Sequence, residues 1–212
     1  MAFNAQKLAE YIQGCSDFII CEPKPCYYNN HIGALFTDII LQAGVNYDTV
    51  VRPRVSSILK EYPQACNVDH FNAILHKFGY ENVLRWNNPV KLQRMKNLIS
   101  FCRDNNIQTA NDLVLFLSDA KKASTLKEIK GIGNKTYDYL LKLMNVDTVA
   151  VDRHIFSFIK EAGITSHNYQ EVKSTVEFAA DFLGISRRCI DYSIWSYMSM
   201  KQVKNKQLVI QF

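Results

Sequence analysis

The 212-residue chain contains no C-x-x-C pair, no Cys/His cluster at zinc spacing and no apolar run near the ~18 to 20 residues that cross a bilayer. A zinc module, a thioredoxin-like redox motif and a membrane-spanning helix are therefore excluded as readings of the pattern. The six cysteines are Cys15, Cys21, Cys26, Cys66, Cys102 and Cys189. With no secretory signal ahead of them, they read as reduced thiols of a cytoplasmic or nuclear protein. Eight glycines and five prolines leave no low-complexity linker, and no internal repeat is visible. The charge excess is also small: 25 Lys and Arg against 20 Asp and Glu give +5, which permits polyanion binding without a histone-like surplus. What is plentiful is apolar surface, at 48% hydrophobic and 12% aromatic residues, enough for a folded globule rather than a disordered chain.

The apolar residues recur at helical rather than strand spacing. Leu8, Tyr11, Ile12 and Cys15 make one stripe, and Phe71, Ile74, Leu75 and Phe78 make another behind an Asn67 cap. Asn88-Pro89 reads as an N-cap followed by proline at the first helical position, with Leu92, Met95, Ile99 and Cys102 behind it and a stop near Asp104. Thr109 predicts a helix to about Leu117, and Ser186 one carrying Ile190, Ile194 and Tyr197. The count is about ten helices and no sheet. The expected organisation is an all-α chain of two helical lobes. Residues 1–29 pack with a C-terminal lobe at 147–212, a barrel-like lobe spans 30–146, and CEPKPCYY at residues 21–28 is the crossing segment.

One stretch, KEIKGIGNKTYDYLLKLMNVDTVAVDRHI, carries chemistry. Leu126 and Ile129 carry the apolar side of a short helix, Gly131-Ile132-Gly133 makes a tight turn, and Thr136, Leu140, Leu141 and Leu143 lie in a second helix, the pattern of a helix-hairpin-helix. Glycines allow positive φ and close backbone approach, and the next helix presents unpaired N–H groups at its positive end, which suits a phosphate. Lys135 lies in that helix's first turn. There the helix dipole and the neighbouring Lys127 and Lys130 oppose protonation of an amine whose ordinary pKa is about 10.4. Asp152 follows the apolar run Val149-Ala150-Val151 and starts another helix as its N-cap.

Gly131-Ile132-Gly133, Lys135, and Val151-Asp152 with His154 together resemble the signature of the HhH-GPD superfamily of base-excision DNA glycosylases, which includes endonuclease III and the 8-oxoguanine glycosylases. The resemblance implies that Lys135 is the Schiff-base lysine and Asp152 the catalytic aspartate, in a cleft between the lobes. Gly131, Ile132, Gly133 and Asn134 would hold the DNA backbone, and Gln42 is a candidate filler of the duplex gap. The implied partner is double-stranded DNA with a damaged base or abasic site, bound by a monomer. The chain departs from the family pattern at Lys130 and at Tyr137, where a proline and a small residue are common. It also lacks the four clustered cysteines of the endonuclease III branch, so no iron-sulfur cluster is expected. No cofactor is required, apart from a candidate monovalent cation at the hairpin carbonyls.

The implied function is a glycosylase that displaces the base with a lysine amine and cleaves the strand by β-elimination. Two alternatives remain open on the sequence: a helix-hairpin-helix DNA-binding protein without turnover, and a glycosylase without efficient lyase activity. His154 reads as structural. Arg52, Arg54, Lys91, Arg94 and Lys96 are minor candidates for phosphate contacts. Trp86, Trp195, Tyr192 and Tyr197 are candidates for stacking on a flipped base. The tail, with Lys201, Lys204, Lys206 and the run Leu208 to Phe212, is left as either packing or DNA-ordered.

Overall fold

The computed structural model describes residues 2–210, with side chains to Lys201, and the described residues contain helices and no strand. Gln211, Phe212 and the side chains from Gln202 on, among them Lys204 and Lys206, lie outside the described residues. No helix among the described residues is long and apolar enough to cross a membrane. The chain divides into two units: residues 25–145 form one, and residues 1–24 with 146–212 form the other. The change of unit falls between Lys24 and Pro25, inside the CEPKPCYY segment.

The unit at 25–145 is built around α2 (Ile32–Leu41), every residue of which is buried. Its sequence, IGALFTDIIL, is apolar nearly all round, so it must be surrounded by other helices rather than lie on a surface. Against it pack α3 (Arg52–Glu61), α4 (Val68–Phe78), α6 (Pro89–Asp104) and α9 (Asn134–Leu143); α5 (Tyr80–Leu84) packs on α3 and α4, and α7 (Ala110–Leu117) on α8 (Ala120–Leu126). A π-helical turn, Tyr47–Val51, precedes α3. Close approach to α2 needs Gly33, where a Cβ would sit 2.9 Å from Ala65 Cβ and 3.0 Å from Phe71, while its N–H donates to Ala65 O at 2.9 Å.

The expected caps form. Asn67 accepts from His70 N, Asn88 from Val90 N and Lys91 N, and Thr109 closes a reciprocal capping box with Asp112. Twelve α-helices are present among the described residues rather than about ten. Five-residue α5 is too short for a periodic stripe to register in sequence, whereas seven-residue α8 is the short helix expected before the glycine turn, with Leu126 buried in it and Ile129 beyond its end. Phe78, expected on a buried stripe, is 45% exposed at the end of α4.

The other unit contains α1 (Ala2–Gly14), α10 (Arg153–Glu161), α11 (Tyr169–Leu183) and α12 (Arg187–Ile210). α1 packs along α11, and α10 and α11 both pack on α12. Phe158 is fully buried, with Tyr11, Phe18 and Tyr197 rings at centroid distances of 5.5, 5.4 and 5.7 Å. Aromatic pairs at such distances add to simple area burial.

Candidate functional site

After α8 the chain folds back through residues 127–133 to start α9. Ile132 N donates to Ile129 O at 2.8 Å and the Ile132 side chain is 1% exposed, so this residue anchors the turn in the core. Gly131 sits at φ +95, where an L side chain is strained, and a Cβ there would lie 1.9 to 2.1 Å from the Arg94 guanidinium. Arg94 reaches from α6 and donates from Nε to Lys130 O at 3.1 Å. Gly133 is the N-cap of α9 and supplies no side-chain cap. The opening N–H groups of α9 therefore have neither an intrahelical acceptor nor a cap. Of the four residues expected to hold a DNA backbone, Gly131, Gly133 and Asn134 are exposed, whereas the Ile132 amide is already engaged.

Lys135 is partly buried in the first turn of α9, and its Nζ donates to Gln42 Oε1 at 3.1 Å. Gln42 is the C-cap of α2, its backbone N–H bonded to Asp38 O. Lys91 on α6 donates to Leu41 O at 2.7 Å and to Ala43 O at 2.8 Å, bracing the carbonyls on either side of Gln42. Burial, with Arg94 nearby, holds the Lys91 amine below the usual lysine range. Its Nζ also stands 4.8 Å from the Trp86 ring centroid.

One turn back along α2 is a network absent from the sequence reading. Asp38, fully buried, accepts from the Tyr28 hydroxyl at 2.5 Å, Tyr47 at 3.0 Å and Tyr139 at 3.0 Å. Burial pushes the Asp38 carboxyl up, and the three phenol donors partly offset that push. Burial and the carboxylate together raise all three phenols. A signal for this existed: a lone aspartate in a ten-residue apolar helix must find donors. Since 38 and 42 are one turn apart on α2, and 135 and 139 one turn apart on α9, the two contacts form successive rungs between these helices.

In the other unit, Asp152 is the N-cap of α10. Its Oδ1 accepts from His154 N at 2.8 Å and Ile155 N at 3.1 Å. The extended run before it is fixed by side chains: Asp147 Oδ1 accepts from Arg188 N, Asp191 Oδ2 from Ala150 N at 2.7 Å, and the Tyr169 hydroxyl from Val151 N at 3.2 Å. His154 is buried.

The minor candidates are largely engaged in structure. Arg54 donates to Val50 O and Arg85 O and lies over the Trp86 ring, Arg52 pairs with Asp48, and Lys96 stands over Tyr80. Tyr137 is accommodated with the Lys127 Nζ 4.5 Å from its ring centroid. Tyr197 packs on Phe158, whereas Tyr192 and Trp195 stack on each other at 5.8 Å and are 39% and 42% exposed. Lys201 pairs with Glu161 at 2.8 Å.

An open groove of about 580 Å³ beside α4, α5 and α6, lined by His76, Tyr80, Lys96 and Arg103 among others, includes none of the residues singled out as catalytic. Among the described residues no group of three or more His, Cys, Asp or Glu could hold a metal ion. A monovalent cation at the turn would need carbonyl oxygens. Ile129 O already accepts from Ile132, and Lys130 O from Arg94, whose own charge stands there, so the turn does not fit a cation at Lys130.

A family described as Domain of unknown function (DUF8548) matches residues 86–199, just over half of the chain. The match runs from Trp86 through the glycine turn, Lys135 and Asp152 to α12. No curated protein and no solved structure matches the chain.

Proposed function

We propose that the chain, which belongs to the DUF8548 family, is a DNA N-glycosylase with AP lyase activity. The observation that carries the reading is the lysine placed directly after the glycine turn, in the first turn of α9, with its amine held by a side-chain carbonyl. A nucleophilic amine must be presented in one direction and be partly desolvated, and Lys135 meets both conditions within its own unit. The uncapped start of α9 supplies N–H donors for a backbone phosphate without reading a base.

In this reading the substrate nucleotide is extruded from the duplex, and the Lys135 Nζ lone pair attacks C1′. The glycosidic C–N bond breaks, its electron pair leaves with the base, and the base gains a proton. One amine proton goes to the departing base; the nitrogen lone pair then forms C=N as the C1′–O4′ bond breaks, O4′ takes a proton from solvent, and a protonated Schiff base remains. Loss of a proton from C2′ then expels the 3′ phosphate as the C3′–O bond breaks. Asp152 serves as the carboxylate that stabilises positive charge on the sugar, and its fixed backbone is what such a role needs.

The test is borohydride trapping of wild type and Lys135→Gln on duplexes carrying an abasic site, 8-oxoguanine, an oxidised pyrimidine, uracil or a mismatched thymine. A covalent adduct with wild type alone is expected, and Lys135→Gln should abolish strand cleavage while binding persists. Lyase activity retained by Lys135→Gln would overturn the assignment. Absence of adduct and base release on every duplex would leave a binding protein.

A further inference from the structure

We propose that Gln42 is a positioning residue for the Lys135 amine; this rests on the glycosylase reading and replaces the gap-filling role suggested by resemblance. The Gln42 side chain turns toward α9, where its Oε1 accepts from Lys135 Nζ at 3.1 Å. Its Nε2 is buried and has no hydrogen-bond partner among the described residues. The amide is therefore oriented from its oxygen side. Flipping it would set two donors against each other at Lys135, so the oxygen assignment follows from chemistry.

Three features fix that oxygen in space. The Gln42 backbone N–H closes the last turn of α2 on Asp38 O. Lys91 clamps the carbonyls of Leu41 and Ala43, the residues on either side. The rung one turn away, Tyr139 hydroxyl to Asp38, sets the register between α9 and α2, so Lys135 meets Gln42 as Tyr139 meets Asp38. A partly buried lysine committed to two main-chain carbonyls, and a buried aspartate with three phenol donors, are costly features to maintain for an ordinary helix end. They make sense if residue 42 must be placed accurately. A gap-filling side chain instead needs freedom to leave the protein surface, and this one is drawn inward.

The role is separable from gap filling because single-stranded abasic DNA has no opposite-strand gap to fill. The experiment uses the full chain as wild type, Gln42→Met and Gln42→Glu. It combines single-turnover borohydride trapping on abasic DNA, single-stranded and duplex, with acylation of lysines by a small amine reagent read by mass spectrometry. The exposed Lys121 on α8 is the internal reference. Gln42→Met keeps the volume and removes the acceptor. It is expected to slow adduct formation about 10- to 100-fold on both substrates, with little change in DNA affinity. Lys135 should meanwhile acylate several-fold faster while Lys121 does not change. An amine that has lost its acceptor at residue 42, and reacts faster with a small reagent but slower with C1′, is a signature that general loosening of the fold does not give.

Gln42→Glu keeps an oxygen in place and should leave Lys135 acylation at or below the wild-type rate. A trapping defect confined to the duplex would overturn the proposal in favour of gap filling. Unchanged Lys135 acylation in Gln42→Met, or faster acylation in Gln42→Glu, would also overturn it. If wild type forms no adduct, the glycosylase reading fails by itself. The acylation contrast then still decides whether Gln42 holds Lys135.

Discussion

The two residues carrying the proposed chemistry are held in opposite ways. Asp152 is positioned locally: its carboxylate caps its own helix two and three residues on, and the run before it is tied down by side chains of the same unit. Lys135 is positioned from afar, through a glutamine 93 residues earlier whose backbone is braced by a lysine of a third helix. A capping carboxylate can be placed by a few neighbouring dihedrals. A long, flexible lysine gains a direction only from a partner on another element, at the expense of the side-chain entropy lost in ordering it.

The contrast is sharpest at Asp38, where a single change should have the largest effect. Asp38→Ala leaves the hydroxyls of Tyr28, Tyr47 and Tyr139 without their acceptor. Relief of a buried carboxylate offsets part of that loss, and about 2 to 4 kcal/mol should be lost in denaturant unfolding. Its pH dependence has a defined sign. The carboxyl is raised above its ordinary value of 3.8 by burial, so its contribution is fully present below that value and is lost as pH rises through the folded-state pKa. The unfolding midpoint of wild type should therefore carry an increment toward acid that Asp38→Asn lacks. Identical pH profiles for the two would show that Asp38 does not titrate between the folded and unfolded states.

Gly131→Ala comes next. It places a Cβ at φ +95 against the Arg94 guanidinium, which must move off Lys130 O. The expected cost is roughly 1 to 3 kcal/mol, with weaker duplex binding in a salt titration. A variant as stable as wild type would mean that Arg94 swings away freely and does not brace the turn.

Asp152 gives the smallest and most local effect. Asp152→Ala should lose about 1 kcal/mol of thermal stability by removing the cap, whereas Asp152→Asn retains a capping oxygen and should stay near wild type. If Asp152→Asn also slows trapping, the carboxylate's chemical and capping roles are separated. Equal destabilisation by both would place the charge, rather than the cap, at the centre of its structural role.

Much of the architecture was legible because it is local. Asn67, Asn88, Thr109 and Asp152 each announce a helix start through a side chain that bonds N–H groups two or three residues away, and the apolar stripes follow with a 3.6-residue period. The glycine turn was equally legible, since positive φ at Gly131 leaves little choice of residue. Short α5 escaped, as did the π-helical turn, because neither contains enough residues to show a period.

By itself, then, the sequence determined the helical class, the caps, the turn and the order Gly131, Gly133, Lys135, Asp152. Propensity, periodicity and capping act over a few residues and are written along the chain. Only the tertiary structure decided that Gln42 faces Lys135, that Lys91 and Arg94 serve carbonyls within the fold, and that three tyrosines at 28, 47 and 139 converge on Asp38. These contacts join residues up to about a hundred positions apart through helix packing, and no local pattern records which distant donor will satisfy a buried acceptor.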